Sequence, residues 1–159
     1  MAILIDVQNM YHSAKNLFDS RVNFEEVVKE GTSGRKLIRA IAYVVKSGES
    51  GDEEAFFNAL KRLGIERKSK ELQVFYGGAK KADWDVGITL DAVHLASSVD
   101  VIVLVSGDGD FLPLAEHLQH RGKIVEVMAF KKSASSELQE RANNFTDLAS
   151  DEKRFLYRK

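Results

Sequence analysis

The stretch at residues 101–111, VIVLVSGDGDF, decides the fold. Its first five residues are apolar and four of them are β-branched, which is typical of a parallel strand buried on both faces. Ser106 and two Gly-Asp pairs follow, and a helical pattern begins at Phe111. Asp108 and Asp110 are therefore predicted just beyond the carboxyl end of a central strand, where open α/β sheets bind their ligands.

The composition is that of a globular domain without disulfides. The 159 residues are 44% apolar and 30% charged, a length and balance that fit one domain. The absence of cysteine excludes disulfides, zinc thiolate sites and cysteine catalysis. We see no signal peptide and no apolar segment of membrane-spanning length, so we expect a cytoplasmic protein with no membrane association. The net charge of −1 argues against a surface coated in positive charge but allows a local basic face.

Strand and helix patterns alternate along the chain, which predicts a three-layer α/β/α sandwich with a mostly parallel central sheet, Rossmann-like in its architecture. Strands are predicted at 2–5, 37–45, 72–76, 101–105 and 124–130, with an edge strand at 145–148. Helices are predicted at 9–18, 24–29, 52–63, 83–96, 111–119 and 135–142. The charged run at 66–70 is expected to be a solvated loop, with binding of phosphates by its basic residues as the alternative. One domain is expected over residues 1–150, followed by a basic tail at 151–159 that is frayed.

Several aspartates lie just after predicted strands or within one predicted helix. Asp6 follows the first strand, and Asp108 and Asp110 follow the fourth. If those two strands are neighbours, as the doubly wound arrangement suggests, Asp6 and Asp108 share one crevice. Asp85 and Asp91 are six residues apart in a predicted helix, roughly 120° apart around its axis, so that both can border the same crevice.

Clustered carboxylates repel one another and stay ionised when a cation binds them. Oxygen ligands without histidine or cysteine suit Mg²⁺ or Mn²⁺, and such ions activate water for phosphodiester hydrolysis. Asn9 and Ser106 are predicted to contact the substrate or its phosphate beside this cluster. Each aspartate taken singly can equally be a helix cap, and the glycines of SGDGDF can simply form a tight turn. Acidic positions that share one sheet edge favour the metal site.

Three blocks of the chain, in order, resemble the NYN domain family of the LabA type, which belongs to the PIN-like nuclease superfamily: LIDVQNMY, KKADWDVGITLDAV and VDVIVLVSGDGDFLPLAEHLQHRGKIVEVMAF. The resemblance runs from Ile3 to about Leu148. It implies a PIN-like sandwich whose acidic cleft binds a divalent metal and cleaves RNA.

The resemblance also assigns residues by position. Catalysis is assigned to Asp6, Asp85, Asp108 and Asp110, and metal binding to the same four together with Asp91. Asn9 matches the asparagine of the family's first block. PIN nucleases often carry another acid in an early helix, for which the candidates here are Glu25, Glu26 and Glu30, none of them marked by a motif. A missing ligand would favour a binding module without activity.

Cations and an aromatic residue near the predicted cleft are candidates for holding RNA. Lys80 and Lys81 precede the helix that carries Asp85, so they are expected to flank the cleft. Trp84 is expected to stack on a base, as aromatic residues do in single-strand binders. Tyr76 is expected to pack against the sheet.

Three functions remain open at this point. The first is a metal-dependent endoribonuclease acting on single-stranded or structured RNA. The second is a non-catalytic RNA-binding or regulatory adaptor with the same fold, in a homodimer or a larger assembly. The third is a phosphatase or another phosphate-handling enzyme, against which the sequence shows no D-x-D after the first strand and no G-x-x-x-x-G-K-[ST] loop.

Overall fold

Strands and helices alternate along the described part of the chain, which in this computed structural model comprises residues 1–46, 51–71, 73–74, 80–81 and 83–157. The strands are β1 (Ala2–Asp6), β2 (Arg21–Val22), β3 (Arg39–Lys46), β4 (Glu66–Glu71), β5 (Gln73–Val74), β6 (Lys80–Lys81), β7 (Val101–Val105), β8 (Ile124–Ala129), β9 (Asn144–Asp147) and β10 (Leu156–Tyr157). The helices are α1 (Val7–Phe18), α2 (Phe24–Thr32), α3 (Gly51–Arg62), α4 (Asp85–Leu95), α5 (Leu112–His120), α6 (Ser136–Arg141) and α7 (Glu152–Phe155).

The central sheet has six parallel strands in the order β4-β3-β1-β7-β8-β9. The chain builds outward from β1 through β3 to β4, and then returns to the other side of β1 to continue with β7. The order reverses between β1 and β7, which makes their carboxyl ends the topological switch point of the sheet. The predicted sandwich is confirmed, as is the prediction that its first and fourth principal strands are neighbours.

Apolar side chains cover both faces of this sheet because successive residues of a strand point to opposite sides. Leu4, Tyr43 and Leu104 pack with Ile88 of α4 and with residues of α5 on one face. Ile5 and Val105 pack on the other face against residues of α1 and α2. The central strands are therefore buried on both sides, which fixes the positions of their carboxyl ends.

The third strand of the sheet was predicted at the wrong segment. Strand β4 occupies residues 66–71, which were expected to form a loop. Of the predicted strand at 72–76, residues 73–74 form β5, which pairs with β6 outside the central sheet, and the other three lie outside the described residues. The error has a physical reason: β4 is an edge strand with charged side chains on both faces, so it lacks an apolar pattern, and such charges protect an open edge from pairing with other chains.

Other boundaries differ from the prediction by one to three residues. Helix α1 begins at Val7, directly after its N-cap Asp6, and α2 extends to Thr32, where Ser33 adopts a left-handed conformation with φ of 49°. The predicted edge strand is present as β9. No helix in the described ranges combines the length and the apolar character that crossing a membrane requires.

The segment expected to fray is ordered over its described residues, 151–157. Phe155 and Leu156 are buried, and β10 pairs antiparallel with β2. Arg154 donates hydrogen bonds to Glu26 and Glu30 of α2 at 2.7 Å each. The apolar pair and the arginine attach this segment to the domain, because burial of the two side chains outweighs the loss of chain entropy at a terminus.

Candidate metal centre

Three carboxylates meet at the switch point. Oxygen atoms of Asp6, Asp85 and Asp108 all lie within 4.8 Å of one another. Asp6 ends β1, Asp108 lies in the loop after β7, and Asp85 is the first residue of α4, which packs against β1. The pairing of β1 with β7 and the docking of α4 thus bring together acids that are up to 102 residues apart in the chain.

Asp6 is held in place by both of its carboxylate oxygens. The Asn9 backbone N–H donates to Oδ1 at 3.3 Å, and the Ser106 hydroxyl donates to Oδ2 at 3.1 Å. The side chain is 8% exposed. Asp6 is therefore both the N-cap of α1 and a member of the acidic group, so the two interpretations of its sequence position are compatible.

The loop after β7 is fixed by hydrogen bonds to its neighbours. The Ser106 hydroxyl accepts from the Asp108 N–H at 3.2 Å, and the Asn9 side-chain oxygen accepts from the Gly107 N–H at 3.0 Å. Asp108 Oδ1 in turn accepts from the Asp110 N–H at 2.9 Å. Ser106 thus connects Asp6 to Asp108, and Asn9 connects α1 to the loop.

The glycines of this loop are needed for space. A Cβ atom on Gly107 would lie 2.9 Å from the Cα of Ala134, and one on Gly109 would lie 3.0 Å from the Ser135 side chain. Neither glycine has a positive φ angle. The glycines therefore allow the segment before α6 to approach closely, and this segment donates the Ser135 N–H to the Gly107 carbonyl at 2.9 Å.

Helix α4 is anchored at its first turn, which sets the position of Asp85. The Trp84 indole N–H donates to the Val44 carbonyl at 3.0 Å, and its ring packs on Tyr43 with centroids 5.4 Å apart. Gly87 makes this possible, because a Cβ atom there would lie 2.5 Å from the Trp84 ring. The start of α4 is thereby fixed against the end of β3, beside the acidic group.

The electrostatic state of the group is unfavourable without a cation. Burial, followed by the charges of Asp108, Asp83 and Asp6, raises the pKa of Asp85 to about 7. Burial also raises the pKa of Asp6, although its hydrogen bonds from Asn9 and Ser106 lower it in part. Hard oxygen ligands held close together against their own repulsion are the donor set that suits Mg²⁺ or Mn²⁺, so the residues fit a divalent ion.

The remaining predicted acids lie outside this group. Asp110 is exposed, and its contact with the group is made by its backbone N–H. Asp91 accepts hydrogen bonds at 2.7 Å from both Lys68 Nζ and the buried Tyr43 hydroxyl. Asp91 is therefore hydrogen-bonded to β3 and β4. These contacts could not be predicted from the sequence, because the two partners are 23 and 48 residues away from Asp91.

The early-helix glutamates do not join the group either. Glu25 and Glu26 form ion pairs with Lys29, and Glu26 and Glu30 bind Arg154. These contacts bind α2 to α7 and leave three carboxylates at the centre, in the part of the chain that the structure describes.

The residues predicted to contact RNA lie in different surroundings. Trp84 is half-buried and hydrogen-bonded, with Lys70 Nζ 4.5 Å from the centre of its ring. Lys80 and Lys81 form β6, but their side chains lie outside the described part of the structure, as does Tyr76. Asn9 and Ser106 are at the centre, where they orient the acidic group.

Six parallel strands in this order, with three carboxylates at the switch point, define a doubly wound α/β domain with an acidic site at its carboxyl edge. The chain belongs to the NYN domain family, whose model matches residues 1–149. It is similar to the low amplitude and bright protein LabA of Synechococcus elongatus, with 27% identity over 93% of this chain and 83% of LabA. The crystal structure of a protein of unknown function from Vibrio parahaemolyticus superposes with a TM-score of 0.89, at 36% identity, covering 98% of this chain and 94% of that one.

Proposed function

We infer that this protein is a divalent-metal-dependent ribonuclease that hydrolyses RNA phosphodiester bonds at the carboxyl edge of its sheet. The observation that carries the proposal is the group of three carboxylate oxygens within 4.8 Å at the switch point. Membership of the NYN family, within the PIN-like nuclease superfamily, supports RNA as the substrate. The proposal includes Mg²⁺ or Mn²⁺ as the cofactor, single-stranded or structured RNA as the substrate, and the cytoplasm as the location.

Asp6, Asp85 and Asp108 are the proposed ligands. A divalent cation at this position supplies Lewis-acid stabilisation of the phosphate and lowers the pKa of water. Ser106 and Asn9 orient the ligands before the cation binds, so little reorganisation is needed when it does. Asp110 and Asp91 are proposed to act outside the ligand set, Asp110 next to the loop and Asp91 in the anchoring of α4.

Asn9 is proposed to contact the substrate as well. Its side-chain oxygen accepts from the Gly107 N–H, so it offers the NH₂ group to a phosphate oxygen. We assign no side chain of the protein as the general base.

The proposal is tested by incubating labelled single-stranded RNA with the purified chain in MnCl₂ or MgCl₂. Asp108→Asn removes one ligand, and Asp100→Asn is the matched control, because that carboxylate is 98% exposed and lies at the opposite end of β7. We expect cleavage by the parent and by Asp100→Asn, and none by Asp108→Asn or in EDTA. Cleavage that persists in EDTA or in Asp108→Asn would contradict the proposed site.

A non-catalytic RNA-binding adaptor is the second candidate, and one observation favours it. The early-helix glutamates that would supply a further ligand are bound to Lys29 and Arg154 instead. RNA binding without turnover by folded, metal-loaded protein would select the adaptor. A homodimer remains a prediction, which light scattering on the purified chain tests.

A further inference from the structure

Two lysines of β4 point to the same side of the sheet but differ in their partners. Lys68 and Lys70 are two residues apart on the strand, so both side chains face α4. Lys68 Nζ is 2.7 Å from the Asp91 carboxylate. Lys70 Nζ donates to a neutral acceptor, the carbonyl oxygen of Asp83, at 2.7 Å. The Asp91 carboxylate offsets part of the charge of Lys68, whereas the acceptor of Lys70 carries no formal charge.

Lys70 and the basic residues around it differ in their partners. Arg35, Arg39 and Lys68 all pair with carboxylates at 2.8 Å or less, and Arg67 lies over the Phe57 ring. Within the described ranges, no carboxylate lies within ion-pairing distance of Lys70 Nζ. A lysine ammonium has three N–H donors, so one bond to a carbonyl leaves two for a ligand.

The position of Lys70 places this charge next to the metal centre. Its acceptor is the backbone of Asp83, whose side chain accepts the Asp85 N–H at 3.2 Å. Asp85 is one of the three proposed ligands. The ammonium group therefore lies beside the first turn of α4, at the rim of the centre.

The same contact changes the role of Trp84. Lys70 Nζ lies 4.5 Å from the centre of the indole ring, whose N–H is already bonded to Val44. A base can stack on this face only by displacing the ammonium group and its cation–π contact. At this position the rim presents a cation in place of an open aromatic face.

We propose that Lys70 is a phosphate-binding residue that holds the RNA backbone at the rim of the metal centre, independently of base identity. This rests on the proposed function, since it takes RNA as the substrate. The strand that leaves the centre then passes over the carboxyl ends of β3 and β4.

The test measures binding of a labelled twelve-nucleotide oligouridylate to the full chain by fluorescence anisotropy. The titrations contain CaCl₂ and varied KCl, and gels verify that the RNA stays intact. The variants are Lys70→Gln, Lys70→Arg and the control Lys36→Gln. Lys36 is an exposed lysine before β3, at the amino ends of the strands and away from the metal centre. Thermal unfolding with and without MnCl₂ is measured for each.

We expect Lys70→Gln to weaken binding about fivefold at 0.1 M salt and to lower the slope of log affinity against log salt by about 0.7, the contribution of one phosphate contact to single-stranded nucleic acid. Lys70→Arg retains the charge and restores both values. Oligoadenylate shows the same loss, and Lys36→Gln behaves like the parent. The manganese-induced shift in Tm is unchanged in Lys70→Gln.

Three results would overturn the assignment: Lys70→Gln binding RNA as Lys36→Gln does, weaker binding accompanied by a smaller manganese shift, or a parent chain that binds no RNA. The second result would make Lys70 a structural clamp of α4. RNA binding that depends on Lys70 without any cleavage in MnCl₂ would instead refute the ribonuclease and leave this contact standing.

Discussion

Replacement of Asp85 by asparagine is expected to stabilise the metal-free protein above neutral pH. The folded chain raises the pKa of Asp85 from its ordinary 3.8 to about 7, first through burial and then through the charge of Asp108. Between these values the folded state binds more protons than the unfolded state, so this group's contribution to stability falls as the pH rises towards 7. An amide does not titrate, so the variant should exceed the parent at pH 8 and lose that advantage towards pH 4.

The magnitude follows from the geometry of the group. A shift from 3.8 to about 7 corresponds at most to about 4 kcal/mol. Water reaches this half-buried side chain, and two charges within 4.8 Å of each other repel by about 1 kcal/mol in water. A gain of about 1–2 kcal/mol is therefore expected, less about 0.5 kcal/mol for the lost interaction with the α4 dipole. For a chain of 159 residues the Tm should rise by about 2–5 °C.

The assay is thermal unfolding followed by circular dichroism in EDTA at pH 5, 6.5 and 8. Asp100→Asn, with its fully solvated carboxylate, controls for the change in net charge. Added MnCl₂ should raise the Tm of the parent by mass action and that of Asp85→Asn much less, so that the order of the two reverses. An Asp85→Asn protein that is no more stable than the parent at pH 8 in EDTA would refute the argument that these carboxylates oppose one another.

Three further substitutions test the packing and hydrogen bonding outside the three proposed ligands. Gly107→Ala should lower the free energy of unfolding by about 1–3 kcal/mol in urea titrations, because the new methyl group meets the Ala134 backbone; an unchanged midpoint would contradict this. Asp91→Asn should leave the manganese affinity measured by calorimetry unchanged, whereas a loss as large as that of Asp108→Asn would make Asp91 a ligand. Phe155→Ala should cost about 3–5 kcal/mol in the same urea titrations, since its ring is 3% exposed, while a frayed terminus would tolerate it.

The central sheet and its acidic group were predictable because their signals are local. The apolar run of β7 identifies a strand buried on both faces, and the residues after such a strand lie at the ligand-binding edge. Asp6 and Asp108 follow by this rule alone. Asp85 required the assumption that its helix begins at the same edge, which the docking of α4 on β1 satisfies.

The structure departs from the sequence pattern, or adds to it, where long-range contacts decide the arrangement. Strand β4 lies at the edge of the sheet and consists almost entirely of charged residues, so its sequence shows no alternation of apolar and polar side chains. Such a segment resembles a loop. Asp91 matched the expected acids by spacing, but its partners Lys68 and Tyr43 come from two other strands. Trp84 was predicted to stack on a base because it is aromatic and lies beside the acidic residues. In the structure its indole N–H donates to the Val44 carbonyl of β3, and Lys70 Nζ lies over its ring.

Some residues of SGDGDF supply carboxylates, and the others fix the positions of those carboxylates. Asp108 brings charge to a point where Asp6 and Asp85 already repel it. Ser106 bonds to Asp6 and to the Asp108 N–H, and the absence of a side chain at Gly107 lets the segment before α6 close against the loop. These contacts fix the carboxylates in the unfavourable arrangement before a cation arrives, so its binding energy is not spent on ordering the ligands. The hydrogen bonds and close packing of this loop are therefore needed to maintain the repulsion. In a loose loop Asp108 would move away from Asp6 and Asp85, which would relieve the repulsion and also lower the affinity for the cation.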